Sequence, residues 1–260
     1  MSDPIVVASA GGVAEIRFNR PERLNALDVE LARAFEAAAA RVTADPDVRV
    51  VVVSSAGRAF VAGGDLAHFH RAADKPAAAA ELIDPIHAGL KALARSPQIV
   101  ICSVKGAVAG AGMSLALGLD LAIAADDATF NLAYARVAAS PDCGGSWALP
   151  RLVGYRRALE IALLSETIDA AEALRLGLVN RVVPRADLEA ETAKLAARLA
   201  AGPAVAQGNI KSLMRLSLER DHAAQLDAEA RAFGECAATA DFTEAVDAFL
   251  GKRKPQFIGR

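Results

Sequence analysis

The sequence predicts an α/β protein that ends in a helical region, and three observations carry that prediction. Residues 49–55 (RVVVVSS) and 99–104 (IVICSV) are continuous apolar runs, the pattern of strands buried on both faces. Segments with helical spacing separate them. Beyond Pro184 strand signals stop, and alanine-rich amphipathic segments follow one another to the C-terminus, as expected of a helical region appended to a core.

In chain order, VAEIRFN alternates Ala14, Ile16 and Phe18 with Glu15 and Arg17, which predicts a strand with one wet face. Helical spacing over 28–44 leads to the run at 49–55, and a second helix over 78–95 leads to the run at 99–104. LAIAA at 121–125 and LVNRVV at 178–183 add strands. Helices are expected over 155–164, after Gly154, and over 170–176, ending at Gly177. The C-terminal helices are expected over 186–200, 203–219, 221–240 and 242–251.

The 260 residues are 53% hydrophobic and 23% charged, enough to bury a full core. Lys and Arg number 29 against 31 Asp and Glu, so no global field recruits nucleic acid or an anionic membrane. The mean hydropathy of +0.27 raises the question of a membrane span. The most apolar stretch, GAVAGAGMSLALGLDLAIAA, is interrupted by Asp120, followed by Asp126 and Asp127, and too small-sided for a span of about 20 apolar residues. Its glycines and alanines instead predict close packing of backbone on backbone. MSDPIVV has neither the basic start nor the apolar core of a signal peptide, and Cys102, Cys143 and Cys236 suggest no disulfide framework, so a cytoplasmic location is expected.

The glycine-rich segment KGAVAGAGMSLALG fails two familiar motifs. Gly110 and Gly112 are followed by Leu115 where a dinucleotide fingerprint needs its third glycine, and no G-K-[ST] follows for a phosphate loop. Gly112-Met113-Ser114-Leu115-Ala116 is a near miss to a nucleophile elbow, but the only downstream histidine, His222, stands in an expected helix beside Asp221 and Arg220. His68 and His70 are two apart, which does not face them on a helix, and no second cluster completes a metal site. A strand ending near Val104 and running through small residues into a helix places unsatisfied N–H groups and the positive end of a helix dipole together. FVAGGDL (60–66) follows the 49–55 strand in the same way. Two converging N–H groups form an oxyanion hole, each donor contributing about 3 kcal/mol to a developing enolate; otherwise both are tight strand-to-helix turns.

Taken together, NRPERLNALD (19–28), FVAGGDL, VKGAVAGAGMSLALGLDLAIAADDATF (104–130) and FLGKRKPQF (249–257) resemble the enoyl-CoA hydratase/isomerase, or crotonase, superfamily from about Val13 to the C-terminus. PDCGGSWALPRLVG and the ending KRKPQF resemble its 1,2-epoxyphenylacetyl-CoA isomerase-like members most. The resemblance implies a crotonase-like spiral of β-β-α turns over residues 1–200 that binds acyl-CoA. It also implies a helical region over 201–260 for trimerisation, as a trimer or dimer of trimers, and for CoA contact. No cofactor is implied, the CoA thioester being the substrate.

Carried over residue by residue, the oxyanion donors fall on the N–H groups of Ala62 and Ala111. Arg23, Leu24 and Ala26 match the stretch lining the CoA adenine and pantetheine, and Phe249 and Lys252 match tail residues that meet CoA, in some members from the neighbouring subunit. Lys252, Arg253 and Lys254 form a phosphate counter-charge. Gly63, Asp65, Leu66 and Gly110 border the thioester, and Tyr134 and Trp147 line the acyl pocket.

The two glutamates with which hydratases of the family activate water are replaced by Ser114 and Tyr134, and neither is a carboxylate base. Asp142 matches an aspartate that shuttles a proton in dienoyl-CoA and ring-epoxide isomerases of the family. From the residues alone, Asp142 is also a candidate N-cap for a short helix over 144–149. Three functions follow: a CoA-thioester isomerase using Asp142, a hydratase using a water held by Asp142, and a non-catalytic acyl-CoA binding protein.

Overall fold

A computed structural model describes residues 3–259, so the first two positions of MSDPIVV and the last of the C-terminal region lie outside the described residues. The chain begins with a hairpin, β1 (Ile5–Ala10) and β2 (Val13–Phe18), closed by Gly11 and Gly12, both at positive φ as a two-residue hairpin turn requires. β1 was not among the expected strands. Helix α1 (Val29–Ala44) follows, capped by the Asp28 carboxylate on the Leu31 N–H at 2.8 Å. It buries Leu31, Phe35, Ala38, Ala39 and Val42 on one stripe.

β3 (Val50–Ser55) leads through residues 56–65 to α2 (Leu66–Arg71) and the long α3 (Lys75–Arg95). β4 (Ile99–Val104) and the short β5 (Ala107–Ala109) feed α4 (Ala111–Gly118). Next come β6 (Leu121–Ala125), β7 (Thr129–Asn131), α5 (Gly145–Val153), α6 (Tyr155–Leu164), β8 (Ile168–Asp169), α7 (Ala170–Arg175) and β9 (Arg181–Val183). The C-terminal helices are α8 (Leu188–Ala200), α9 (Ala204–Leu216), α10 (His222–Ala237) and α11 (Ala240–Leu250). Residues 178–180, expected in a strand, precede β9, and a 3-10 turn over Ser217–Glu219 closes the helix expected to 219.

A six-stranded sheet runs in the order β1-β2-β3-β4-β6-β9, antiparallel at β1-β2 and parallel elsewhere. One face packs on α1 and α3 around Phe18, Phe35 and Phe60, whose rings stack at 5.6 Å and meet edge-on at 5.9 Å. The other face buries Val50, Val52 and Ile101 beneath Ala196 and Ala200 of α8. Both faces are therefore covered, which is why β3 and β4 read as unbroken apolar runs. A second sheet of β5, β7 and β8 is extended by a parallel bridge between Val61 and Val108. Every one of its strands has two or three residues, too few for a period to show in the sequence.

Helix α9 docks on this core around a buried cation. The Lys211 ammonium on α9, in a residue 8% exposed, donates to the carbonyls of Leu93 (2.8 Å) and Gln98 (2.7 Å) and pairs with Asp120 at 2.9 Å. Asp120 also accepts the Val100 N–H at 2.9 Å. Burial lowers the lysine's pKa, and Asp120 pulls it part of the way back. Breaking a buried pair leaves the other charge uncompensated, so Lys211→Met is expected to lose about 3 kcal/mol of stability in urea unfolding. A loss under about 0.5 kcal/mol, the range of an ordinary surface substitution, would refute the anchor.

Candidate active site

Two strand-to-helix junctions meet where main chain lies on main chain. A Cβ on Gly112 would stand 2.1 Å from the Val61 carbonyl oxygen, and one on Gly106 would stand 2.0 Å from that of Arg58. Only glycine allows that approach, as the expectation of backbone-on-backbone packing required. It seats the start of α4 against residues 58–64. Gly110 precedes α4 with φ of 52° and its Cβ position lies 3.5 Å from the Gly63 Cα. The N–H groups of Ala111, Gly112 and Met113 open the helix and have no intrahelical acceptor.

The donor expected on the other side is different from the one the resemblance placed there. The Ala62 N–H already donates to the Leu24 carbonyl at 3.1 Å. Two residues on, the Leu27 N–H donates to Gly63 and the Asp65 N–H donates to Leu27, both at 2.8 Å, in a parallel bridge centred on Gly64. Gly64 therefore turns its own N–H to the opposite edge, and that N–H has no acceptor among the described residues. Ala62 is therefore not a free donor at the junction, whereas the Gly64 and Ala111 N–H groups are.

A cavity of about 670 Å³ opens beside them. Ala62, Gly63, Gly64, Gly110 and Ala111 line its floor, with Leu66, Phe69, Leu82, Ile83 and Ile86 on one wall and Tyr134, Val137, Pro141 and Asp142 on the other. Residues 67–80 are largely helical, and α2 and α3 supply that apolar wall. Lys75 and Asp142 are the charged side chains among the lining residues.

Asp142 does not cap the helix that follows it. Gly144 stands at the N-cap of α5 with no side-chain bond, so the capping role is excluded. The Asp142 Oδ1 instead accepts the Tyr134 hydroxyl, and Tyr134 lies 3.1 Å from the buried Ser114 Oγ. Because the one phenolic hydrogen goes to the carboxylate, Ser114 donates to Tyr134, and a chain of hydroxyls ends on Asp142. Burial, reinforced by the Asp142 charge, holds the Tyr134 phenol and the neighbouring Cys143 thiol well above their ordinary values. Ser114 meets this phenol, while Asp221 caps α10 on the Ala224 N–H at 2.8 Å, so the hydrolase arrangement is not assembled.

Other expected residues have different work. Asp65 caps α2 on the Ala67 N–H at 2.9 Å. Arg23, Leu24 and Ala26 form a turn beside the cavity, whose wall takes Leu27 from that loop. Asn25 fixes the turn: fully buried, its amide donates to the carbonyls of Ala56, Ala59 and Phe60 at 3.0–3.1 Å and its Oδ1 accepts the Arg20 N–H. Trp147 does not line the acyl cavity. It leaves the opposite side of α5, where Arg151 and Arg215 lie 4.1 and 5.1 Å from its ring centroid. Phe249, 83% exposed on α11, and Lys252 just after it do not line the cavity of their own chain. Arg253 is no free counter-charge, since it forms a two-point bond with Glu244 at 2.5 and 2.7 Å. Sequence reasoning missed Gly64, Asn25 and His87, whose ring accepts the Cys143 N–H at 3.1 Å.

The family model "Enoyl-CoA hydratase/isomerase" matches residues 8–260. A "Probable enoyl-CoA hydratase" of Rhodobacter capsulatus is 42% identical over 96% of this chain and 95% of its own. The 1,2-epoxyphenylacetyl-CoA isomerase of Escherichia coli K12 is 38% identical over 96% of both chains. The crystal structure of an enoyl-CoA hydratase from Polaromonas sp. JS666 superposes with a TM-score of 0.90 at 35% identity, covering 97% of this chain and 99% of the other.

Tyr134, Cys143 and the fully buried Cys102 all have acid forms favoured in the folded state. The unfolded chain then loses protons first, so stability is complete below the unfolded values, about 8.5 for thiols and 10 for phenol, and falls as pH rises through them. Urea midpoints measured from pH 7 to 11 are expected to fall, less steeply above pH 10 in Tyr134→Phe. Parallel curves for the two proteins above pH 10 would contradict the environment assigned to Tyr134.

Proposed function

The chain belongs to the enoyl-CoA hydratase/isomerase family, with the crotonase fold, and on that premise we propose that it is a CoA-thioester isomerase that works with a single carboxylate. The observation that carries this reading is the replacement of a carboxylate pair by the Ser114–Tyr134–Asp142 chain, which leaves Asp142 as the one acid on the cavity wall. Adding water across a double bond calls for a base on the water and an acid at carbon, whereas moving a double bond calls for one group that takes a proton and returns it elsewhere.

In this reading the Gly64 and Ala111 N–H groups hold the thioester oxygen, each worth about 3 kcal/mol as negative charge develops on it. Asp142 removes a proton from the carbon chain next to the polarised carbonyl, the electron pair passes into the enolate, and the proton returns at a distant carbon. No water is gained or lost. Rearrangement of a ring epoxide of the 2-(1,2-epoxy-1,2-dihydrophenyl)acetyl-CoA type uses the same donors and the same shuttle, and the E. coli relative's activity supports that substrate. Tyr134, donating its hydroxyl to Oδ1, aims the Asp142 carboxylate. The apolar wall from Phe69 to Ile86 suits an acyl group without a charged end.

The reaction needs no resident cofactor. The exposed Met214, Leu218, Phe233, Phe249 and Leu250 on the C-terminal helices and the turn after α9 support a homotrimer or a dimer of trimers, with Phe249 and Lys252 reaching the CoA of a neighbouring subunit. Three free cysteines support a cytoplasmic setting, and no helix among the described residues is long and apolar enough to cross a membrane. A hydratase is the second reading, supported by the description of the Rhodobacter capsulatus relative.

The test is a panel of 3-enoyl, 2,4-dienoyl and ring-epoxide phenylacetyl CoA thioesters followed by ultraviolet absorbance and mass. Wild-type protein is expected to shift absorbance at constant mass, and Asp142→Asn to bind thioester but turn over at least about 100-fold more slowly. Gain of one water by the product would establish the hydratase. Wild-type turnover by Asp142→Asn would remove Asp142 from the mechanism.

A further inference from the structure

The turn that presents Asp142 is held in a costly backbone conformation. Cys143, the next residue, has φ of 50°, a left-handed setting that a side chain disfavours, followed by Gly144 at 80°. Such strain, of order 1–3 kcal/mol, persists only where neighbours over-determine it. Two bonds fix this turn. The Gly145 N–H donates to the Asp142 carbonyl at 3.0 Å, and the Cys143 N–H donates to Nε2 of His87, one helix away on α3, at 3.1 Å. A backbone N–H can only donate, so Nε2 carries its lone pair and the ring is the neutral tautomer with its proton on Nδ1.

We propose that His87 is a positioning residue for the Asp142 carboxylate, and that it holds the Asp142–Gly144 turn only as a neutral imidazole. The inference rests on the isomerase reading for its effect on turnover, but the bond itself is independent of that reading. Protonation at Nε2 would replace the acceptor with a donor facing another donor. The Cys143 N–H would then lose its partner, and the left-handed turn would lose the contact that ties it to α3. The titratable groups around the ring are Asp142 and the Cys143 thiol on the turn, Tyr134 beyond them, and Asp84 and Lys91, three residues before and four after His87 on α3. The thiol is held protonated, and Tyr134 is likewise held in its neutral form, so neither answers a fall in pH. Asp142 is common to wild type and His87→Gln, so comparing the two changes only the imidazole.

Two variants separate the roles. His87→Leu removes the acceptor, and His87→Gln offers a carbonyl oxygen that accepts the same N–H and does not titrate. His87→Leu is expected to lower kcat at least tenfold with KM for the CoA thioester little changed, and His87→Gln to recover most of that loss. The acid limb of the kcat profile is expected to move to lower pH in His87→Gln. Without substrate, the amide ¹⁵N–¹H signal of Cys143 is expected to shift further on acidification in wild type than in His87→Gln. A His87→Leu protein with wild-type kcat, or a Cys143 amide that moves equally in wild type and His87→Gln, would overturn the proposal. If no thioester isomerises in any of these proteins, the isomerase reading fails while the Cys143 signal still decides the role of His87.

Discussion

The site depends on a contact that no side chain makes. Gly106 and Gly112 let the start of α4 lie directly on residues 58–61, closer than any Cβ permits. That approach brings the open N–H groups of a helix beside the bridge centred on Gly64. It also fixes where the floor of the cavity lies, because Gly63 and Gly110 face each other on the same seam, a Cβ on Gly110 falling 3.5 Å from the Gly63 Cα. Asn25, fully buried, braces the seam from the other side, tying the 20–27 turn to residues 56–60 through three hydrogen bonds and closing the turn on itself with a fourth to the Arg20 N–H.

The chemistry is set by what stands above this floor. Asp142 is the one acid among the residues lining the cavity, and its carboxylate accepts the end of the Ser114–Tyr134 hydroxyl chain. A lone, hydrogen-bonded carboxylate in an apolar wall matches a task in which one proton leaves and comes back. The left-handed residues Ala133, Ala138 and Cys143 all lie on the segment that carries Tyr134 and Asp142, so the backbone strain of this region is concentrated where aim matters.

Much of this was legible in the sequence, and the limits follow physical lines. β3 and β4 could be read because α1 and α3 cover one face of the sheet and α8 the other, which writes burial into every residue. β5, β7 and β8 could not, being too short for any period, although Gly11-Gly12 between two apolar stretches was an available signal for the first hairpin. Motif position put Asp142 and Ala111 together, and both line the same cavity. Ala62 was misplaced because the direction of an N–H depends on strand pairing, which spacing does not encode. Trp147 failed for a related reason: the sequence placed it near glycines, but only the packing of α5 on α4 and α9 decides which side of the helix it leaves. His87 gave no motif at all, since its partner is a backbone group 56 residues away.

The Gly64 and Ala111 donors belong to the main chain, and this has a consequence for how such an enzyme changes over time. A codon change at either position rewrites a side chain but leaves an N–H in place, unless it introduces proline. Side-chain substitution therefore alters the cavity through other positions, such as 134 and 142 and the apolar wall of α2 and α3. The glycine seam beneath has no such latitude, since any Cβ at Gly106 or Gly112 would run into a backbone carbonyl.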